Sequence, residues 1–402
     1  MSKRLVFCVV AALLLYAILE GVCWIALTCL ARYKDMKYIP RTDRLVEDIQ
    51  KNRQVISDAL AGRLELRKVF DSELGWAPPK TYRTPWEIIT NSIRDEKSYS
   101  LRKPSGVVRM LAFGDSFVYC DEVSNKMTWE TFLNQTGNVE VLNFGVPGYG
   151  LDQAYLWYLR EGRKYETDFV LIGFFTEDIN RHVNTFRYFY SPYVWCYSKP
   201  RFYLEKGELR LQDSYFKKPE EMLKLITDTR RTLYELGQRD FYFRSRYYSA
   251  GLLDFLPSVR LFKVLSSVYL EQCGSALTTD GRFNTGSEAY LVTEKLFDAF
   301  GQAVQQTGAR PVILLFPDKE DFLRLRSGKP KRYQPLLDDW KKKGYAYIDL
   351  MDAFDKYCPG CDLKQLMSNH FSPHGNMIIS KYMVEYFMRS AAEAAASGRK
   401  GR

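Results

Sequence analysis

The stretch Arg109-Met110-Leu111-Ala112-Phe113-Gly114-Asp115-Ser116-Phe117 decides how this chain is read. A short apolar run of strand type stops at Gly-Asp-Ser, and helix-forming sequence resumes after Cys120. A serine so placed stands at the carboxyl end of a strand, facing the crevice where open α/β sheets bind ligands. Its hydroxyl can be exposed while backbone N–H groups of the turn point at the same spot, as a nucleophile requires. Turns also favour Gly, Asp and Ser for conformational reasons alone, so the rest of the chain must supply the partners.

Working outward, residues 107–113 are the first of several continuous apolar runs. Residues 128–133 read as helix, 139–144 as strand, 151–164 as helix and 169–175 as strand. Later come a helix within 287–307, a strand at 311–316, a helix at 333–343, a strand at 346–350 and a closing helix at 377–395. Apolar strands separated by amphipathic helices predict an α/β fold, a doubly wound parallel sheet covered on both faces. Between Asn184 and Phe283 the rhythm breaks, which predicts an insertion beside the mouth of the site. It carries an aromatic-rich segment from Phe186 to Tyr197, a hairpin at 202–211 around Lys206-Gly207, and a helix-rich stretch with 241–248. Such aromatics either stack on sugar rings or pack against the parent domain.

Before the sheet lies a different kind of sequence. Residues 5–30 hold one charge, Glu20, and are long enough to span a bilayer. A cleaved signal peptide has a shorter apolar run, so an uncleaved anchor is expected over residues 1–34. Lys3 and Arg4 on one side are matched by Arg32, Lys34 and Lys37 on the other, and the positive-inside rule does not orient it. The expected arrangement has the N-terminus inside and the body outside. Glu20 is either a functional carboxyl or one that faces a partner helix. Residues 35–105 read as a charged stalk followed by an irregular lead-in, and 106–402 as the main domain.

The formal charge of +10 suits an anionic partner or a membrane surface, but Lys and Arg are scattered and no recognition motif accompanies them. Nucleic-acid binding is not expected. Three of the eight cysteines lie in the apolar N-terminal segment, and the remaining five argue against a fully paired disulfide framework. Cys358-Pro-Gly-Cys361 reads as a tight turn able to oxidise locally. His374 follows His370 at the helical metal-pair spacing, but Pro373 intervenes and a third ligand is lacking nearby, so no metal and no cofactor is expected.

Four features line up with strand ends: Ser116 after the first strand, Asn143-Phe-Gly-Val-Pro-Gly148-Tyr-Gly150 after the second, Thr176-Glu177-Asp178-Ile-Asn180-Arg181 after the third, and Asn369-His370-Phe-Ser-Pro-His-Gly375-Asn376 before the last helix. In a doubly wound sheet all four loops can converge on one edge. Their order resembles the SGNH (GDSL-like) hydrolase superfamily, over residues 107–395 with the insertion as an interruption. The resemblance implies a three-layer, flavodoxin-like sheet. It implies Ser116 as nucleophile and oxyanion donor, Gly148 as the second oxyanion donor, and His370 as general base. Asp115, Asn143, Asp178 and Asn369 are the expected supporting residues.

Two positions depart from that pattern. The superfamily's third block carries an Asn whose amide reaches the oxyanion, and here that position is Glu177. Losing one such donor costs ~2.7–4 kcal/mol in the barrier. The acid usually found three residues before the histidine is replaced by Met367. A backbone carbonyl, Asn369 or a distant carboxylate such as Asp362 would then orient His370. His182 is expected to line the cleft or face solvent, and Cys120 to pack below the nucleophile. The resemblance implies a serine-dependent ester hydrolase or O-acyltransferase; the anchor, the basic surface and the aromatic insertion point to acyl esters of cell-surface or exported polysaccharide, with envelope-complex partners. The rival expectation is a catalytically impaired SGNH fold that binds glycan or scaffolds a polysaccharide assembly system.

Overall fold

The computed structural model describes residues 2–33, 38, 41–61, 63, 68–190, 197–246, 251–269 and 277–399. They form two compact units. One combines Met1–Arg63 with Glu220–Ala276, and the other Leu64–Pro219 with Leu277–Arg402.

The larger unit is built on five parallel strands: β1 Val108–Gly114, β2 Val139–Gly145, β3 Phe169–Phe175, β4 Arg310–Phe316 and β5 Tyr347–Asp349. Their order across the sheet is β5-β4-β3-β1-β2, every pairing parallel. These strands are continuous apolar runs because both faces are covered. On one face Trp129, Leu133, Phe354, Ile378, Ile379 and Met383 join Met110, Ala112, Leu171 and Leu314 in a single core. They come from the helices Trp129–Asn134, Leu350–Tyr357 and Pro373–Arg399. On the other face Tyr158 meets Phe113 and Phe300, while Phe297 meets Phe174 and Trp340, all edge to face. The result is the expected three-layer, doubly wound α/β fold. Its order reverses between β1 and β3, and a crevice at the carboxyl ends of the strands belongs there.

Several local expectations need correction. Helix does not wait until after Cys120: Ser116–Tyr119 is already helical, with Asp115 as N-cap and Cys120 as a left-handed C-cap. The lead-in is not irregular, since Val69–Asp71 pairs with Gly75–Ala77 and Thr81–Arg83 with Ile88–Thr90. These strands are three residues long, too short for a periodicity to register. The helices Lys319–Arg326 and Leu350–Tyr357 also escaped the sequence reading. The hairpin around Lys206-Gly207 is present as Arg201–Glu205 against Glu208–Gln212. Tyr193 and Trp195 lie outside the described residues. The described aromatics beside them, Phe186, Tyr188, Phe189 and Tyr197, are buried, and Tyr197 stacks on Trp76 with centroids 6.2 Å apart. Here packing claims them.

In the smaller unit, Lys3–Tyr33 is one apolar helix, long enough to cross a membrane, followed by the short helices Arg41–Lys51 and Arg53–Leu60. Gln50 donates to Ile226 O at 2.9 Å and Thr229 Oγ1 at 2.8 Å, tying the first of these to the segment before Thr229–Gly237.

Candidate active site

Ser116 leaves the end of β1 through a turn that close backbone contact makes possible. A Cβ on Gly145 would sit 2.3 Å from Tyr119 N, so only glycine lets the Ser116–Tyr119 helix rest on the end of β2. Asp115 caps that helix by accepting from Phe117 N at 2.8 Å. Asn143 is a structural brace: its Nδ2 donates to Val118 O at 2.8 Å and its Oδ1 accepts from Gly145 N at 2.9 Å. The first two strand ends are thereby fixed to one another.

His370 reaches the serine from the far end of the chain. Met367 and Phe371 close a β-bridge around it, and Ser372 caps the last helix by accepting from Gly375 N at 3.1 Å. Pro373 opens that helix at the position where a missing N–H costs nothing. His370 Nε2 lies 2.8 Å from Ser116 Oγ, with Ser116 7% exposed. The Phe117 ring, stacked on Phe175 at 4.1 Å, backs the imidazole at 5.1 Å.

A carboxylate faces His370 from an unexpected place. Glu122 Oε1 is 3.4 Å from His370 Nδ1, an ion-pair distance outside hydrogen-bond geometry. Catalytic contacts of this kind often tighten only when substrate binds. The Glu122 carboxylate also accepts from Asn369 Nδ2 at 3.1 Å, His370 N at 3.3 Å and Ser368 Oγ. Partial burial opposes its charge, but these bonds outweigh it and bring the carboxyl down to about 2. Asn369 therefore serves the carboxylate rather than the imidazole. Met367, at the position usually held by the acid, is a core residue, and Asp362 caps Leu363–Leu366 by accepting from Lys364 N at 3.1 Å.

Glu122 has φ +69° and Cys120 φ +59°, left-handed conformations that cost non-glycine residues energy. Arg94 holds the loop there. Its guanidinium donates to the carbonyls of Tyr119, Cys120 (2.6 Å) and Val123 (2.5 Å) and to Asn125 Oδ1 (3.2 Å), and lies 4.2 Å over the Tyr119 ring. Beneath the loop Cys120 is buried as expected, its Sγ 3.4 Å from Glu130 Oε2. Burial pushes the Glu130 carboxyl up to about 8.

The third block is organised by Arg181. One guanidinium faces Asp115 at 3.1 Å, Glu177 at 2.5 Å and Asp178 at 2.7 Å, and donates to Tyr149 O at 2.6 Å. Burial pushes both Asp115 and Asp178 up against Arg181's pull, Asp178 the further. Glu177 thus has a cation partner instead of presenting a bare charge to the site. Gly148 has φ +85°, and a Cβ there would meet Trp76 Cζ2 at 3.5 Å and Lys68 Nζ at 3.7 Å. Tyr149 Oη donates to Trp76 O at 2.6 Å, so the lead-in hairpin walls the glycine loop.

His182 neither lines the cleft nor meets solvent. It is fully buried, with Nε2 accepting from Leu151 N at 3.2 Å and Nδ1 2.6 Å from Thr293 Oγ1, and burial drives it down to about 3. Cys358 and Cys361 form a disulfide, and His374 Nε2 lies 3.7 Å from Cys358 Sγ. Among the described residues these three are grouped closely enough to hold a metal, which would require the disulfide to be reduced.

Glu122, Arg94 and Arg181 are the residues that sequence reasoning missed. Arg181 carried a faint signal, the i,i+4 spacing from Glu177. An arginine and a glutamate in irregular sequence carry none.

No protein-family model and no curated protein matches the chain. Fourteen solved chains are similar to it, two of them as follows. One is a protein assigned as lipolytic, of the G-D-S-L family, from Desulfitobacterium hafniense DCB-2, at 12% identity over 69% of this chain and 97% of that one, TM-score 0.34. The other is an alpha/beta hydrolase enzyme from the metagenome of Lake Arreo, Spain, at 12% identity over 69% and 94%, TM-score 0.36. With identities and TM-scores that low, function has to be read from this chain's own side chains.

Proposed function

We propose that this chain is an acyl-transfer enzyme of SGNH type, working through Ser116, His370 and Glu122. The observation that carries the reading is the 2.8 Å contact between His370 Nε2 and Ser116 Oγ, with a carboxylate behind Nδ1. Ser116 Oγ attacks an ester carbonyl as His370 Nε2 takes its proton. Glu122 then faces an imidazolium and favours it. The N–H groups of Ser116 and Gly148 receive the developing oxyanion, with Lys68 beside Gly148 adding positive potential. His370 returns the proton to the departing alcohol, leaving an acyl-serine that passes to water in an esterase or to a second hydroxyl in an O-acyltransferase.

The substrate class follows from the surroundings. A helix able to span a membrane and a disulfide suited to an oxidising compartment favour an anchored, extracytoplasmic body. Its acyl ester would belong to a cell-surface or exported polysaccharide.

The test is active-site labelling of the full chain in detergent with a fluorophosphonate. Wild type should label at one site, in the peptide containing Gly114-Asp115-Ser116. Ser116→Ala should lose the label and His370→Ala should slow it by orders of magnitude. A wild type that resists the probe and matches Ser116→Ala in every ester assay would leave the fold as a glycan-binding or scaffold protein.

A further inference from the structure

Glu20 lies inside the apolar run of residues 5–30, yet its carboxylate is not left to lipid. It accepts from Ser258 N at 2.8 Å and Ser258 Oγ at 2.6 Å. Ser258 is the second residue of the helix Pro257–Tyr269, in the same compact unit as Lys3–Tyr33. On the long helix the covered side chains cluster in its second half, with Glu20, Ala26, Leu27, Leu30 and Ala31 half-buried and Cys23 buried. Between Leu5 and Leu19 all side chains except Ala11 are exposed.

Hydrocarbon about 30 Å thick needs about 20 helical residues. Every 20-residue window within residues 5–30 contains Ala11 to Trp24, and therefore Glu20. Even the window nearest the N-terminus, ending at Trp24, leaves Glu20 about 6 Å below the boundary at about 1.5 Å per residue. Whatever is bonded to Glu20 is then also in the bilayer.

The segment attached to Ser258 has the surface this requires. Leu252 is 97% exposed, Leu253 58%, Phe255 69% and Phe262 72%, a run of large apolar side chains that water disfavours. Of the segment's three charges, Asp254 and Lys263 pair with each other, and the exposed Arg260 lies over the Tyr38 ring at 5.3 Å. Asp254 is buried, pairs with Lys263 at 2.6 Å, accepts from Gly251 N at 2.9 Å and receives Tyr38 Oη, while Arg260 donates to its carbonyl. The Gly251, Asp254 and Leu256 N–H groups and the Asp254 carboxylate all find partners within the protein, the condition for non-helical chain at membrane depth.

We propose that residues 251–269 form a second membrane-embedded segment, lying in the leaflet beside the C-terminal half of the Lys3–Tyr33 helix, with lipid acyl chains covering Leu252, Leu253, Phe255 and Phe262. Glu20 is the polar pin that holds the two together. The inference rests on Lys3–Tyr33 spanning a membrane.

The experiment is carbene labelling of the full chain in phosphatidylcholine vesicles with a lipid-dissolved aryl diazirine, using glutathione in the water as scavenger, followed by peptide mapping. Peptides covering 251–266 should label several-fold above those carrying Trp86 and Leu323, which are exposed elsewhere, and at a level comparable with 5–24. Leu252→Asn with Phe255→Asn should remove that label and leave 5–24 unchanged. Label in 5–24 with only background in 251–266 would overturn the proposal while the anchor stands, whether water or a second copy covers the segment. Background in both would overturn the anchor as well.

Discussion

Oε1 of Glu122 lies 3.4 Å from Nδ1 of His370, although 248 residues separate the two in sequence. The carboxylate comes from the loop that follows Ser116, not from the loop that carries His370. The same strand-end turn therefore delivers both Ser116 and the carboxylate that faces its partner.

Glu122→Gln should lower kcat on a soluble ester by about 10²–10⁴-fold with little change in KM, the range expected when an orienting carboxylate is lost. Esterase kinetics and the fluorophosphonate labelling rate should fall together. Because its hydrogen bonds depress Glu122 to about 2, its ionised form favours the folded state above the unfolded value near 4.5, and that contribution fades as pH drops toward 2. Wild-type activity should show no limb from Glu122 between pH 5 and 9. An unchanged kcat in the variant would mean that Ser116 and His370 act as a dyad.

Arg94→Lys keeps the charge but cannot fork to three carbonyls, so the Glu122 loop should loosen. A fall in kcat of about 10-fold, with KM held and a small drop in Tm, is expected. Arg94→Met leaves buried carbonyls without donors and should cost about 3 kcal/mol or more in denaturant unfolding. Full activity in the lysine variant would show that the loop holds its own left-handed residues.

Glu177→Asn should raise kcat/KM, by up to about 10²–10³-fold, because it exchanges a carboxylate already engaged by Arg181 for an amide able to donate to an oxyanion. Arg181 keeps Asp115 and Asp178 as partners, so the fold should tolerate the change. A loss of activity instead would assign Glu177 to holding Arg181 in place.

Glu130 makes the chain's stability pH-dependent. Its folded value near 8 exceeds the unfolded value near 4.5, so between them the unfolded chain releases a proton that the folded chain retains. This contribution is complete below about 4.5 and is lost as pH rises toward 8, on the order of several kcal/mol. Glu130→Gln should flatten Tm against pH across that window. Parallel curves for variant and wild type would place the dependence elsewhere.

The layered sheet was legible because burial on both faces forces long apolar runs, and β1 to β4 were each readable to within a residue or two. The Ser116 and Gly148 loops were legible because strand ends confine them to small, turn-forming residues, and the His370 loop because it stands just before the start of the last helix. The lead-in strands were not, since three residues carry no period. The fate of His182 was hidden because a histidine's surroundings are set by Leu151 and Thr293, remote in sequence.

By itself, then, the sequence determined the strand order of appearance, the apolar N-terminal helix and the serine–histidine pair, all properties of local pattern. Only the tertiary structure decided that Glu122, and not position 367, faces His370, that Arg181 pairs with Glu177, and that Ser258 receives Glu20. Each of these is a charge whose partner lies in an irregular loop or at a helix end. Charge pairing depends on distance in space and leaves no period in the chain, so it becomes readable only once the packed core has brought the loops together.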